Sequence, residues 1–110
     1  MNEIPKQDDR RTFHRNSARR VVLIIDGKPF LANNWSPSGF NIDFPESGLS
    51  KGDILSGEID IFEVEEKGQF TATVVRVQEN GQIAANFTEL SSQSYMNLCI
   101  TVAISEEEFR

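Results

Sequence analysis

Two tight-turn dipeptides set between β-branched runs constrain the fold of this 110-residue chain more than any other feature. Asp26-Gly27 follows the unbroken aliphatic run at 21–25, and Asn80-Gly81 follows a β-branched stretch at 70–78. Each dipeptide tolerates the positive backbone dihedrals of a short hairpin, and its flanks favour extended chain. Residues 28–33 therefore read as the strand returning from the first turn, and 83–87 as the strand returning from the second. A further turn is expected at 36–39, where Pro37 presets φ and Gly39 is free to take a positive φ. Phe40, Ile42 and Phe44 then alternate with Asn41 and Asp43, which is the period-2 mark of a half-buried strand. Leu55, Gly57, Ile59 and Ile61 share one face of the next strand. The segments 45–51 and 63–68 read as loops, the second of them acidic. Six strands so closely spaced leave little room for crossover helices, so the expected fold is mainly β, a six-stranded antiparallel β-barrel.

The pattern changes after Phe87. Leu90, Tyr95, Met96, Leu98, Cys99 and Val102 fit the apolar stripe of a C-terminal α-helix, with Ser91 or Ser92 as its N-cap. Residues 105–110 read as an acidic tail, either a solvated helix end or frayed chain. Residues 1–9 are polar, contain Pro5 and show no periodicity, so they read as a flexible N-terminal tail. One domain spans 10–104, the size of a single core.

Cys99 is the lone cysteine, which excludes an internal disulfide and suits a reducing compartment. Its neighbours Leu98 and Ile100 suggest a buried thiol. His14 is the lone histidine and lies among arginines, so no catalytic set and no Cys/His metal spacing is present. No apolar run approaches the ~20 residues of a membrane helix. The charged N-terminus lacks a secretory leader, and the chain is expected in the cytoplasm as a monomer or weak dimer.

Charge is divided sharply. Residues 1–20 carry six basic and three acidic side chains, net +3, and residues 21–110 carry net −9, giving −6 overall. An acidic body repels DNA and RNA at long range but tolerates a compact anion held at one cationic spot. Arg10, Arg11 and Arg15 supply such a spot. A guanidinium fork pairs with phosphate oxygens and equally with the O6 and N7 edge of guanine. Arg11 and Arg15, four apart, fall on one side of either a helix or a strand. A solvated tail is the plainer reading of the same arginines.

The second cluster is Asn34-Trp35-Ser36-Pro37-Ser38-Gly39. Asn34 and Ser36 offer the donors and acceptors that suit a purine edge, and Gly39 permits close approach of a ring. The same residues also suit a turn that caps its own backbone. Trp35, offset by one from both polar neighbours, is expected in the core. Arg76, in a β-branched strand, is either a rim residue that keeps its head in water or a stacking partner for a base.

Taken in order, these residues resemble the PilZ domain family of cyclic di-GMP (cyclic diguanylate) receptors. The similarity lies in an RxxxR motif, here Arg11-Thr12-Phe13-His14-Arg15, followed by a [D/N]xSxxG motif, here Asn34 to Gly39. It spans about residues 8–103 and includes Lys51-Gly52-Asp53, the Val74 to Val77 stretch and Phe87-Thr88-Glu89-Leu90. The resemblance implies a six-stranded barrel with a C-terminal helix and no catalytic activity. It implies that Arg11 and Arg15 clasp phosphate and guanine while Asn34, Ser36 and Gly39 hold the other guanine. Arg10, directly before the motif, implies an intercalated ligand dimer. The output implied is an unidentified downstream protein, reached when the arginine segment orders on the ligand. The alternative is a PilZ-like protein-interaction module that binds no nucleotide. One departure stands out: Ala84-Ala85-Asn86-Phe87 occupies a stretch where the family often has a glycine.

Overall fold

The computed structural model describes residues 19–108, so the expected tail at 1–9 lies outside the described residues. Seven antiparallel strands and one helix follow in chain order. They are β1 (Val21–Ile25), β2 (Lys28–Leu31), β3 (Asn34–Ser36), β4 (Gly39–Asp43), β5 (Ile54–Ile61), β6 (Gly68–Val77), β7 (Gln82–Leu90) and α1 (Ser92–Glu108). The strands form one curled sheet in the order β2-β1-β5-β6-β7-β4-β3.

Both hairpin signals are realised, by different turns. Asp26 and Gly27 both have positive φ, 54° and 77°, as the two-residue mirror-image turn requires. At the second site only Gly81 is left-handed, at 91°, and its N–H donates to Gln78 O at 3.0 Å. The Asn80 side chain accepts from Gln82 N at 3.0 Å and steadies that longer turn.

The strand count is one more than the sequence predicts, and the reason is physical. The strand returning from the first turn breaks at Ala32–Asn33. Ala32 N donates to Val21 O at 2.9 Å, still on β1, and Asn33 N donates to Asn41 O at 2.7 Å, already on β4. One bent strand thus contributes both edges of the sheet, β2 and β3, and links them through its own backbone, so the sheet curls into a half-barrel with no β2–β3 ladder. Phe30 and Phe44 pack over this seam with ring centroids 4.4 Å apart.

Inside, Phe40, Phe70 and Phe87 form a triangle with centroids 5.5–5.9 Å apart. Register explains it: Phe40 on β4 pairs with Ala85 on β7, and Ala72 on β6 pairs with Phe87 on β7, so small residues stand opposite rings on the core face. Trp35 is buried in the same core, as its offset from Asn34 and Ser36 predicts.

The helix covers one end of the barrel. Ser91 is its N-cap: Ser94 N donates to Ser91 Oγ at 3.1 Å. Leu98 and Val102 join the core, and Ser94 lies so close to Gly68 that any side chain there would strike its hydroxyl. Two members of the expected apolar stripe point elsewhere: Tyr95 and Met96 are exposed, and Cys99 is half-buried, not the buried thiol expected. Ile100 and Ile104, outside that stripe, are exposed as well. Tyr95 and Cys99 sit one turn apart, and the sulfur's charge, a little desolvation and its hydrogen bond raise the phenol above its ordinary range. The helical backbone continues to Glu108, past the expected domain boundary at 104. No described helix is long and apolar enough to cross a membrane.

Phe40 has no exposed surface and touches both other rings of the triangle. Phe40→Ala is expected to lose about 3–5 kcal/mol, read as a fall in the urea midpoint at constant m-value.

Candidate functional site

Strand register, rather than proximity in sequence, assembles the site. On the face opposite Phe40 and Ile42, Asn34 pairs with Asn41, Asn41 with Ala84 and Ala84 with Arg76. A parallel row runs Ser36, Gly39, Asn86, Thr73 and Ile54. Directly paired residues share a face, so Asn34, Gly39 and Arg76 all belong to one surface of the barrel. Its middle is floored by the small residues Gly39 and Ala84. Three strand spacings separate Asn34 from Arg76, ~14 Å, so the two bracket that floor from opposite sides. A β-bulge between Val74 and Arg76 turns Arg76 onto this face, where its side chain is exposed.

The polar groups at the Asn34 end are arranged by neighbours that sequence alone does not single out. Asn33 Nδ2 donates to Asn41 Oδ1 at 3.0 Å and to Asp43 Oδ1 at 3.1 Å. Asn41 is thereby held at the root of the row, and Asn34 remains half-buried beside it. Asn86 stands exposed next to Gly39. Period-2 alternation marks Asn41 and Asn86 as outward-facing, but only the pairing of β4 with β7 brings them to this site.

Two motif residues have structural duties: Ser36 takes the turn-capping one that its sequence also suits, and Gly39 is required for a reason other than the one expected. Ser36 is fully buried, and its Oγ accepts from Ser38 N at 3.1 Å and lies 2.7 Å from Ser38 Oγ. Its hydroxyl ties the turn together. Gly39 does not take the positive φ expected of it, since the left-handed glycines are Gly27, Gly48, Gly52 and Gly81. What excludes a side chain is the neighbouring strand: a Cβ would strike Ala85 O and come within 2.9 Å of Asn86 Oδ1.

Arg10, Arg11 and Arg15 lie outside the described residues, but the point where their segment joins the barrel is fixed. Trp35 Nε1 donates to Arg19 O at 2.7 Å, and Phe62 N donates to Arg20 O at 2.9 Å. The junction therefore sits against β3, the strand that carries Asn34 and Ser36. Four residues of chain span at most ~14 Å, which tethers Arg15 within that distance of Arg19. Among the described residues no group of His, Cys, Asp and Glu is arranged to hold a metal ion.

The sequence profile of the PilZ domain matches residues 9–101, most of the chain. The chain belongs to the PilZ family. A search of curated proteins finds no match. Among solved structures, the inhibitor of motility MotI/DgrA of Bacillus subtilis superimposes with a TM-score of 0.74 at 18% identity. The alignment covers 96% of this chain and 55% of that one, so this PilZ domain spans about half the length of its structural neighbour. At that identity the likeness is one of fold. The curled sheet, the terminal helix and the motif-bearing turn between β3 and β4 are the PilZ architecture.

Gly39→Ala tests whether the motif glycine is required by the barrel itself. It is expected to lose about 1–3 kcal/mol in denaturant melts without any ligand, because a strand backbone cannot step aside for a methyl group. A variant as stable as the parent would show that β4 and β7 have room to spread.

Proposed function

We propose that this PilZ domain is a receptor for cyclic di-GMP, with no chemistry of its own, that signals to a protein partner. The observation that carries this reading is the convergence at β3. Asn34, Gly39 and Arg76 share one outer face, and the Trp35–Arg19 hydrogen bond ties the arginine segment to the strand that begins that face. The shallow floor of Gly39 and Ala84 suits a flat ring, and asparagine side chains at its margin suit the donors and acceptors of a guanine edge.

Arg11 and Arg15 then take phosphate and guanine from above, Arg10 adds a third cation, and Arg76 stacks or pairs at the far side. The arginine segment orders as it closes. A ligand shifts such an equilibrium only by its different affinity for the two states, and the arginine contacts, made only when the segment is closed, supply the difference. Ser36 contributes by holding the turn between β3 and β4, which keeps Asn34 and Gly39 in place. A doubly charged ligand balanced by three guanidiniums leaves positive charge over. A stacked, intercalated dimer with four negative charges uses all three.

Isothermal titration with cyclic di-GMP tests the reading directly. Saturable binding is expected, with two ligands per chain if the dimer forms. Arg11→Ala and Arg15→Ala should each weaken binding by about ten- to a hundredfold, the worth of one bidentate guanidinium contact. Their thermal melts should match the parent. Wild-type affinity in both variants would sink the clasp, and no heat with the parent chain would sink the receptor.

A further inference from the structure

A groove runs between α1 and the turn that joins β5 to β6. Its floor is Phe62 and Val64, one wall carries Ile100 and Ile104 of α1, and Glu63 and Arg19 line it as well. Ile100 and Ile104 are about half exposed, at 50% and 45%. The recess measures about 230 Å³. That is below the ~300 Å³ at which small-molecule sites begin, and it suits the side chains of a chain segment. A second recess, sharing Val64 and Asn97, adds Glu65, Glu66 and Lys67 to the rim. The groove is therefore apolar within and acidic along one edge.

We infer that residues 10–18 of this chain occupy the groove when no ligand is bound, with Phe13 among Val64, Ile100 and Ile104 and the arginines toward Glu63, Glu65 and Glu66. Three features of the molecule argue for this occupant. The first is position: the segment joins the barrel at Arg19, which itself lines the groove with its guanidinium 5.0 Å above the Phe62 ring. Phe13, six residues further, is tethered within ~20 Å of that point. The second is charge. Residues 10–18 contain three arginines and no acidic side chain, facing a rim with three glutamates and one lysine. The third is composition, since Phe13 is a large apolar side chain set within that basic run and matches an apolar floor behind an acidic edge. Tethering makes even a weak contact effective, because the local concentration of the segment is millimolar.

Glu63 has a φ of 63°, left-handed backbone that asparagine adopts more easily than glutamate.

The inference deepens the receptor reading, because one segment then has two berths that exclude each other. Cyclic di-GMP draws the arginines to the outer face of β3 and β4, and the groove opens for a partner that carries a basic, apolar segment of its own. This release step rests on the receptor reading, while the ligand-free berth does not.

The test is paramagnetic relaxation in the full chain, with a spin label on Thr12→Cys in a Cys99→Ser background. In the absence of nucleotide at low salt, the methyl signals of Val64, Ile100 and Ile104 should broaden, and high salt should restore them. Glu63→Asn keeps the turn conformation and should weaken the broadening with no loss of thermal stability. Phe13→Ser in the otherwise unaltered chain should shift the same methyl signals, a readout that needs no cysteine change. Sharp groove methyls in the labelled chain, with no shift for Phe13→Ser, would overturn the inference. So would broadening confined to Asn34 and Asn86, or broadening that disappears when unlabelled chain is added in excess, which would place the segment on a second copy. Cyclic di-GMP should then sharpen the groove signals. A chain that shows the berth but gives no heat with nucleotide loses the receptor reading and retains the groove.

Discussion

The two hydrogen bonds at Ala32 and Asn33 govern the rest of the molecule. A seven-stranded antiparallel sheet with two free edges would expose unpaired N–H and C=O groups along both. Here consecutive residues donate to opposite ends of the sheet, Ala32 to β1 and Asn33 to β4. The bend that joins the two ends of the curled sheet is also the point from which β3 starts. Asn33 spends its backbone N–H on β4 and its side chain on Asn41 and Asp43. The geometry of the candidate site is thus a direct consequence of how the sheet is curled. Movement at the seam would displace Asn34, Ser36 and the turn that follows.

Trp35 couples this region to the chain that precedes β1. Its ring fills the core and its indole N–H reaches Arg19 O, so one residue satisfies both apolar and polar demands of an aromatic at a boundary. Asn34 stands half-buried on the opposite face of β3 from Trp35, and Ser36 is fully buried in the turn that follows. The alternation along β3 therefore sets the direction of the site and anchors the arginine segment at the same time. Arg19 stands at a fork, with β3 on one side and the groove under α1 on the other.

Much of the architecture was legible in sequence because its signals are local. The dipeptides Asp26-Gly27 and Asn80-Gly81 fix hairpins by their own backbone preferences, and Ser91 announces the helix by capping it. What was not legible depends on register or on tertiary burial. The bend at Ala32–Asn33 contains neither glycine nor proline and gives no local sign. Gly39 is readable as a required glycine, but the reason for it, the approach of β7, lies 46 residues away in sequence at Ala85. Asn41 and Asn86 enter the site only through strand pairing. Tyr95 and Met96 were misassigned to the buried stripe of α1 because helical periodicity identifies an apolar face without saying whether the barrel covers it. Leu98 and Val102 meet the core, whereas Tyr95 and Met96 are exposed, as are Ile100 and Ile104.

That uncovered stripe has a physical consequence when set beside the division of charge. The exposed aliphatic side chains on α1 contribute nothing to folding, and each would gain about 25 cal/mol per Å² of apolar surface if another surface covered it. The body is acidic and the N-terminal segment is basic, and Debye screening confines their attraction to about 10 Å at ordinary salt. Arg19, where the basic segment joins the barrel, lies between the two surfaces: it lines the groove beside Glu63 and its carbonyl accepts from Trp35 of β3. A freely diffusing partner must first overcome dilution, whereas a tethered one does not. On the receptor reading proposed above, one anchorage serves both attractions, so the anionic ligand and the glutamates of the body would compete for one short segment, and binding at one face would become exposure at another.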